Sequence, residues 1–242
     1  MLDPGINVAL QAFLQACETG DESPLAPHLA SEVDSFDGWT GRRHRSPSSL
    51  GLVMRRWRER LPGLRCSLAA TYGEGPEIVA RVELGSPVGD IPSLWAFRFN
   101  GAGRVERLGL YLDQGPALEP GCVATLEAYA RTFNEDQEDA HMALLSPEVL
   151  YFGSVSRMTA VGIPTARGVF RGAREVMGVH RFDLQRVFGR GRDAAVLIRL
   201  VRERPVPNEA EGVLVFRFGP AAEVEQISIL WNPAGFLARR TP

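Results

Sequence analysis

The apolar and polar positions of this chain follow one pattern, written twice. From Asn7 to about Glu18 apolar residues recur at helical spacing, with Ala9, Leu10, Phe13, Leu14 and Cys17 on one stripe, and Gly20 with the Asp21–Pro24 stretch ends the helix. A short second helix is predicted over Leu25–Leu29, then a short strand over Glu32–Trp39 that runs into a polar, basic loop, TGRRHRSPSS. Ser46-Pro47 opens a third helix and Pro62-Gly63 closes it, because proline suits a first turn and glycine a helix end. Four runs of two-residue alternation follow and read as strands: Arg65–Tyr72, Glu77–Leu84, Leu94–Phe99 and Arg104–Asp113. After the Pro/Gly-rich Gln114–Gly121 the order restarts with a helix over Val123–Phe133, an acidic helix from about Glu135 to Leu145 and a short strand over Ser146–Gly153. A long loop, SVSRMTAVGIPTARGVF, precedes a third helix predicted over Arg171–Phe182. The last strands are Asp183–Phe188, Asp193–Arg202, Gly212–Phe218 and Glu223–Trp231, and the Ala238-Arg239-Arg240 tail reads as solvated.

The repetition is visible in the residues themselves. Trp95–Asp113, moved forward by 119 positions, lies without a gap on Leu214–Asn232, and six of nineteen residues are identical (Phe97/Phe216, Arg98/Arg217, Phe99/Phe218, Ala102/Ala221, Val105/Val224, Glu106/Glu225). Average composition would give about one identity by chance. Upstream, Thr71–Leu84 aligns with Val187–Leu200 at an offset of 116, so the difference falls in the connection Val201–Gly212. An internal duplication follows, with a first domain over 1–115, a linker over 116–121 and a second domain over 122–242. Helices first, then a curved antiparallel sheet, twice over, is an α+β pattern.

Composition narrows the function. A formal charge of −2 over 242 residues gives no reason to expect nucleic acid or an anionic membrane surface as partner. No apolar run is long enough to span a bilayer, and the N-terminal stretch has no basic region or small-residue cleavage site, so a cytoplasmic protein is expected. Three cysteines (Cys17, Cys66, Cys122), without paired or Cys/His spacing, read as reduced thiols. All 27 basic residues are arginine, which removes Schiff-base chemistry on a lysine and the phosphate-loop lysine. The histidines (His28, His44, His141, His180) lack metal-ligand spacing, and no dinucleotide fingerprint or nucleophile elbow occurs, so neither a metal nor a cofactor is expected.

Helix–helix–strand–helix–strands ending in the FRFNGAGRV…LYLD or VFRF…EVEQISILWNPAGF hairpin resembles the cone-shaped α+β roll of the nuclear-transport-factor-like superfamily. That group includes SnoaL-like polyketide cyclases, ketosteroid isomerases and limonene-type epoxide hydrolases. The resemblance implies two consecutive rolls. It also implies that the sheet faces carrying Ile78, Ala80, Val82, Leu84 and Ala194, Val196, Ile198, Leu200 cover each other, giving a pseudo-dimer within one chain that is itself a monomer or homodimer. The opposite face then lines the cone and brings in Arg81 and Glu83. Arg81-Val82-Glu83 looks like the Arg-x-Asp of the epoxide-hydrolase branch, but the further acid of that branch is Leu110 here and Ile229 in the second copy. The isomerase branch places its base at Asp37, with Gly153 in the second copy. Its oxyanion donors would fall on Phe13 and Trp95, while the second copy keeps Tyr129 at the helix position.

The expected site is therefore a pocket in the first copy. Asp37 and Glu83 are its acid and base, Arg81 holds its neighbour ionised, and His44 reaches over the mouth. Phe13, Trp39, Tyr72, Trp95 and Phe97 are the substrate-binding walls. Tyr151, His180 and Arg199 could decorate a second pocket, but the second copy reads as a degenerate partner. The expected function is cofactor-independent ring closure or epoxide opening on a polyketide-like or terpenoid-like molecule of secondary metabolism. A non-catalytic small-molecule binder or scaffold of the same fold is the alternative.

Overall fold

The computed structural model describes residues 3–87, 89–113, 117–153, 158–202 and 207–231. The start of the expected linker and the basic tail lie outside them. The chain divides into two compact units, Met1–Gly115 (unit 1) and Pro116–Pro242 (unit 2).

Unit 1 opens with helix α1 (Pro4–Thr19). Asp3 caps it by accepting from the Gly5 amide at 2.8 Å, and Gly20, in the left-handed region at φ 73°, ends it with its N–H on the Ala16 carbonyl. A 3₁₀ turn (Ser23–His28) leads into strand β1 (Leu29–Asp37), a short edge strand β2 (Arg42–His44) and helix α2 (Pro47–Arg60). Four longer strands complete the sheet: β3 (Arg65–Tyr72), β4 (Glu77–Ser86), β5 (Gly89–Phe99) and β6 (Val105–Leu112). Their order is β2-β1-β6-β5-β4-β3, with β1 parallel to β6 and the other neighbours antiparallel. Part of the loop expected to be merely polar and basic is thus the edge strand β2, pairing Ser35 with His44.

Unit 2 repeats this order. Strand β7 (Ala117–Leu118) occupies part of the expected linker, and helices α3 (Pro120–Asn134) and α4 (Glu138–Met142) follow. Then come β8 (Leu145–Gly153), β9 (Met158–Val161), α5 (Gly162–Arg171), a π-turn (Gly172–Val176), β10 (Val179–Gly191), β11 (Asp193–Arg202), β12 (Asn208–Phe218) and β13 (Val224–Trp231). The sheet order is β7-β10-β11-β12-β13-β8-β9, the order of unit 1 with β7 added beside β10. The third helix lies earlier than its predicted Arg171–Phe182, inside the segment expected to be loop. Gly162 at φ 78° makes the turn, Pro164 sits in the first helical turn, and Ala166 and Phe170, four apart, are buried on one side.

The copies agree in detail. Bulges fall between Leu68 and Ala70 and between Leu184 and Arg186, the same places at an offset of 116, and again before Phe99 and before Phe218. The duplicated Phe-Arg-Phe is explained by strand alternation. Phe97 and Phe99 stack inward at 6.2 Å, and Phe216 and Phe218 at 5.6 Å. The arginine between them meets the duplicated glutamate across the hairpin, Arg98 to Glu106 at 2.9 Å and Arg217 to Glu225 at 3.8 Å. On the first helix of each unit one ring meets the first phenylalanine edge-on: Phe13 on Phe97 at 5.1 Å, Tyr129 on Phe216 at 5.2 Å.

One expectation is reversed. Ile78, Ala80, Val82 and Leu84 belong to the core that α1 and α2 cover with Leu10, Phe13, Val53, Met54 and Trp57. In unit 2, Ala194, Val196, Ile198 and Leu200 likewise join the core with Leu126, Phe133 and Phe170. The apolar face of each sheet is therefore covered by the unit's own helices. Their apolar stripes need an apolar partner, and each fully buried Leu or Phe contributes about 2–3 kcal/mol only when water is excluded from both sides.

Candidate functional site

That reversal separates the residues expected to form one site. Arg81 and Glu83 alternate with Ala80, Val82 and Leu84, so their side chains stand on the face away from the helices. They contact each other at 3.4 Å, with side chains 36% and 30% exposed. Tyr72, paired directly with Val79, is on that face too and bonds Arg81. Asp37 faces the helices instead. It is buried and receives three hydrogen bonds, from Trp57 Nε1 at 3.1 Å, the Trp39 amide at 3.0 Å and Thr40 Oγ1 at 2.7 Å. Asp37 is thus set into a turn and under a tryptophan, and Glu83 and Arg81 are not brought to it. His44 pairs with Ser35 on the sheet edge, and its Nε2 is buried without a hydrogen-bond partner.

The expected aromatic walls of unit 1 pack on one another. Phe13, Trp57 and Trp95 are fully buried, and ring centroids run from Trp39 to Trp57 at 6.4 Å and from Trp57 to Trp95 at 6.3 Å. Phe97 closes on Phe13. Of the expected binding residues, Phe13, Trp95 and Phe97 belong to this helix-covered core and Trp39 packs against it.

Unit 2 is built differently at the same places. At the duplicated positions Trp95 becomes Leu214, Asp37 becomes Gly153 and Leu25 becomes His141, while the stretch after α5 brings Ala173 and Met177 to the wall. The result is a cavity of about 70 Å³, several times the space one water needs. Phe133, Phe170, Phe182, Leu214, Ile229 and Trp231 give it an apolar lining, interrupted by Tyr129, Tyr151 and His141.

These three polar side chains form a chain of contacts. The hydroxyls of Tyr129 (α3) and Tyr151 (β8) are hydrogen-bonded to each other. The His141 ring lies 4.2 Å from that of Tyr129, centroid to centroid, and its Nδ1 is 3.0 Å from Thr132 Oγ1. Thr132 gives its proton to the Ala128 carbonyl at 2.8 Å, the usual bond of a helical threonine. With the Thr132 hydroxyl donating to Ala128, its oxygen accepts from His141 Nδ1, and the neutral ring keeps Nε2 as its acceptor nitrogen. Burial pushes the Tyr129 phenol well above its ordinary value, and the Tyr151 beside it adds to the shift. Burial raises Tyr151 as well, against the pull of the bond from Tyr129. Burial lowers His141 to about 4, opposed by its bond to the Tyr129 backbone. At neutral pH the cavity therefore holds two protonated phenols and a neutral imidazole. Two phenols sharing one bond retain one further proton to donate, and the imidazole retains one lone pair to accept.

α4 is held in place from the other side. Glu138 accepts from Arg167 Nη1 at 2.6 Å and from Arg171 at 2.7 and 2.8 Å, which draws its carboxyl down to about 2. This clamp ties the helix carrying His141 to α5. Of the residues expected to decorate a second pocket, Tyr151 does line the cavity. Arg199 alternates with Ile198 and Leu200 and pairs with Asp183 at 2.8 Å on the other face, and His180 offers its carbonyl to Arg174. Sequence reasoning left His141 among scattered histidines; the signal that could have found it is the offset of 116, which sets it opposite the buried Leu25. Among the described residues no three His, Cys, Asp or Glu side chains come together to hold a metal, and no helix is long and apolar enough to cross a membrane.

No family model matches the chain, and no curated protein matches it. Solved structures match over about one unit each. An NTF2-like protein of unknown function from Cytophaga hutchinsonii is 8% identical, with a TM-score of 0.40 over 48% of this chain and 94% of its own. A protein named as a SnoaL-like polyketide cyclase from Shewanella denitrificans is 13% identical, with a TM-score of 0.43 over 50% of this chain and 97% of its own. A steroid delta-isomerase from Pseudomonas aeruginosa is 16% identical, with a TM-score of 0.43 over 51% and 89%. In each unit the strand order, the parallel pairing of the first and last long strands and the helices on one face make an α+β roll, present here twice in tandem.

Proposed function

We propose that unit 2 is the working half, and that its cavity binds a small, neutral, largely apolar molecule of polyketide-like or terpenoid-like character through a carbonyl oxygen. The observation that carries this reading is the pair of hydrogen-bonded phenols with a neutral imidazole beside them in an otherwise apolar wall. An apolar lining selects against charge, because an ion leaving water without a partner is heavily penalised. The one phenolic proton left over is a donor aimed at an acceptor that brings none of its own.

The same arrangement supports cofactor-independent acid–base catalysis. A phenol donating to the carbonyl oxygen stabilises negative charge as it develops there, and a neutral His141 Nε2 takes the proton from the adjacent carbon. The enolate so formed, its oxygen held by the phenol and its charge balanced by the protonated His141, is the nucleophile for ring closure or the intermediate of isomerisation, and a dry cavity keeps water from competing. The test is exchange of the α-protons of 4-fluoroacetophenone for deuterium in heavy water, followed by NMR. Exchange above buffer, lost in His141→Asn and in Tyr129→Phe, is expected. Binding of the ketone without any exchange would leave the non-catalytic binder as the correct reading.

A further inference from the structure

We propose that the segment Gly172–Gly178 is the gate of the unit-2 cavity and that Arg174 is its latch; this rests on the cavity being the ligand site. Phe170, Ala173, Met177 and Val179, all lining residues, lie in or next to this one stretch, so moving it opens the wall. Its hydrogen bonding is that of a π-turn over Gly172–Val176, a geometry held less firmly than an α-helix and concentrated at functional sites. Glycine stands at both ends, Gly178 at φ 67°, and a side chain at Gly172 would meet nothing within 4 Å, so the ends have room to rotate. Unit 1 has no such break at the corresponding place. Its α2 runs unbroken to Arg60 and buries Trp57 in the core.

Arg174 fastens the turn to the end of α3. Its guanidinium donates to the Phe133 carbonyl at 2.6 Å and the His180 carbonyl at 3.4 Å, and its Nε meets Asp136 at 2.7 Å. It also lies over the rings of Phe133 and Phe170, at 5.4 and 6.0 Å from their centroids, and both rings line the cavity. Asp136 is 63% exposed, and an ion pair with one partner so wet is weak enough to break and remake readily. The carbonyl bonds and ring contacts bring it back to the same seat.

A gate differs from a wall in its kinetics. Loosening a latch speeds entry and exit together and leaves their ratio nearly unchanged, whereas removing part of a wall changes the affinity. The experiment uses the full chain and 4-fluoroacetophenone, with exchange between free and bound ligand measured by fluorine NMR. Arg174→Gln should raise both rate constants by about tenfold with the dissociation constant within about threefold, and Arg174→Lys should fall between. Unchanged rates in Arg174→Gln, or weaker affinity with unchanged association, would overturn the gate. Should Arg174→Gln not fold, Asp136→Asn decides, with a rise of about threefold expected in both rate constants and no change counting against. Failure of the unaltered protein to bind the ketone strikes the ligand site itself, whereas binding with unmoved rates strikes the gate alone.

Discussion

The two units share strand order, bulge positions and the Phe-Arg-Phe hairpin, yet they use their interiors in opposite ways. Unit 1 spends its volume on indoles: Trp57 and Trp95 lie in ring contact over the helix face of the sheet, and the buried carboxylate of Asp37 is bonded to Trp57. Unit 2 has Leu214 for Trp95 and Gly153 for Asp37, and it opens a cavity with Tyr129, Tyr151 and His141 in its wall. The interiors of a duplicated fold thus diverge through a few side chains of different volume. Interiors are packed to crystal density, so deleting a large ring on one copy creates space that polar groups on neighbouring elements can face.

The comparison can be broken first at Trp57. Trp57→Ala removes a buried indole and one of the three donors to Asp37, and should destabilise unit 1 by about 4 kcal/mol in denaturant unfolding. Loss of less than about 1 kcal/mol would mean that the indole is not a structural plug.

His141 gives a pH test whose sign is fixed. In the unfolded chain a histidine takes its proton near its ordinary value, whereas His141 in the fold resists protonation down to about 4. Its contribution to stability is therefore complete above about 6.5 and is lost as pH falls from there toward 4, by about 3 kcal/mol in all. His141→Leu, the residue that unit 1 places there, should lose less stability than the unaltered protein over that window. Parallel pH profiles in urea titrations would refute the burial argument.

Filling unit 2 in the manner of unit 1 sharpens the contrast. Leu214→Trp should weaken 4-fluoroacetophenone binding on the order of 100-fold, about 3 kcal/mol, while leaving the far-ultraviolet circular dichroism unchanged. Tyr129→Phe strands the Tyr151 hydroxyl in an apolar wall and should cost about 2 kcal/mol in stability. The smallest effect belongs to the pair once expected to be catalytic. Glu83→Gln should change stability by less than about 1 kcal/mol and leave α-proton exchange untouched, because Arg81 and Glu83 meet partly exposed on the sheet face away from the helices.

How much of this could be read from the residues alone follows from what each feature depends on. The duplication, the helices of the first copy and the long strands rest on local periodicity and on identities such as Phe97/Phe216 and Glu106/Glu225, which are written in the chain. The faces of β4 were not legible from alternation by itself. A strand with Ile78, Ala80, Val82 and Leu84 on one side announces a buried face, but what buries it is decided by the helix stripes opposite. The third helix of unit 2 was misplaced because Gly162, Pro164 and Gly168 read as loop, although Pro164 falls in the first turn, where proline is welcome. The cavity was least legible. Nothing local in Leu214 or Gly153 says that a ring is missing, and only the copy-to-copy alignment, carried through every element, sets Tyr129, Tyr151 and His141 beside the space left.

Titration of selectively methyl-labelled protein with 4-fluoroacetophenone, read by carbon–proton NMR, is the most direct test of which half works. The methyl groups of Ile198, Leu214 and Ile229, all on the cavity wall, should shift in a saturable manner, and those of Val53, Val82 and Leu110 in the unit-1 core should stay where they are. Saturable shifts confined to Val53, Val82 and Leu110, or no saturable shift anywhere, would contradict the assignment of the ligand site to unit 2.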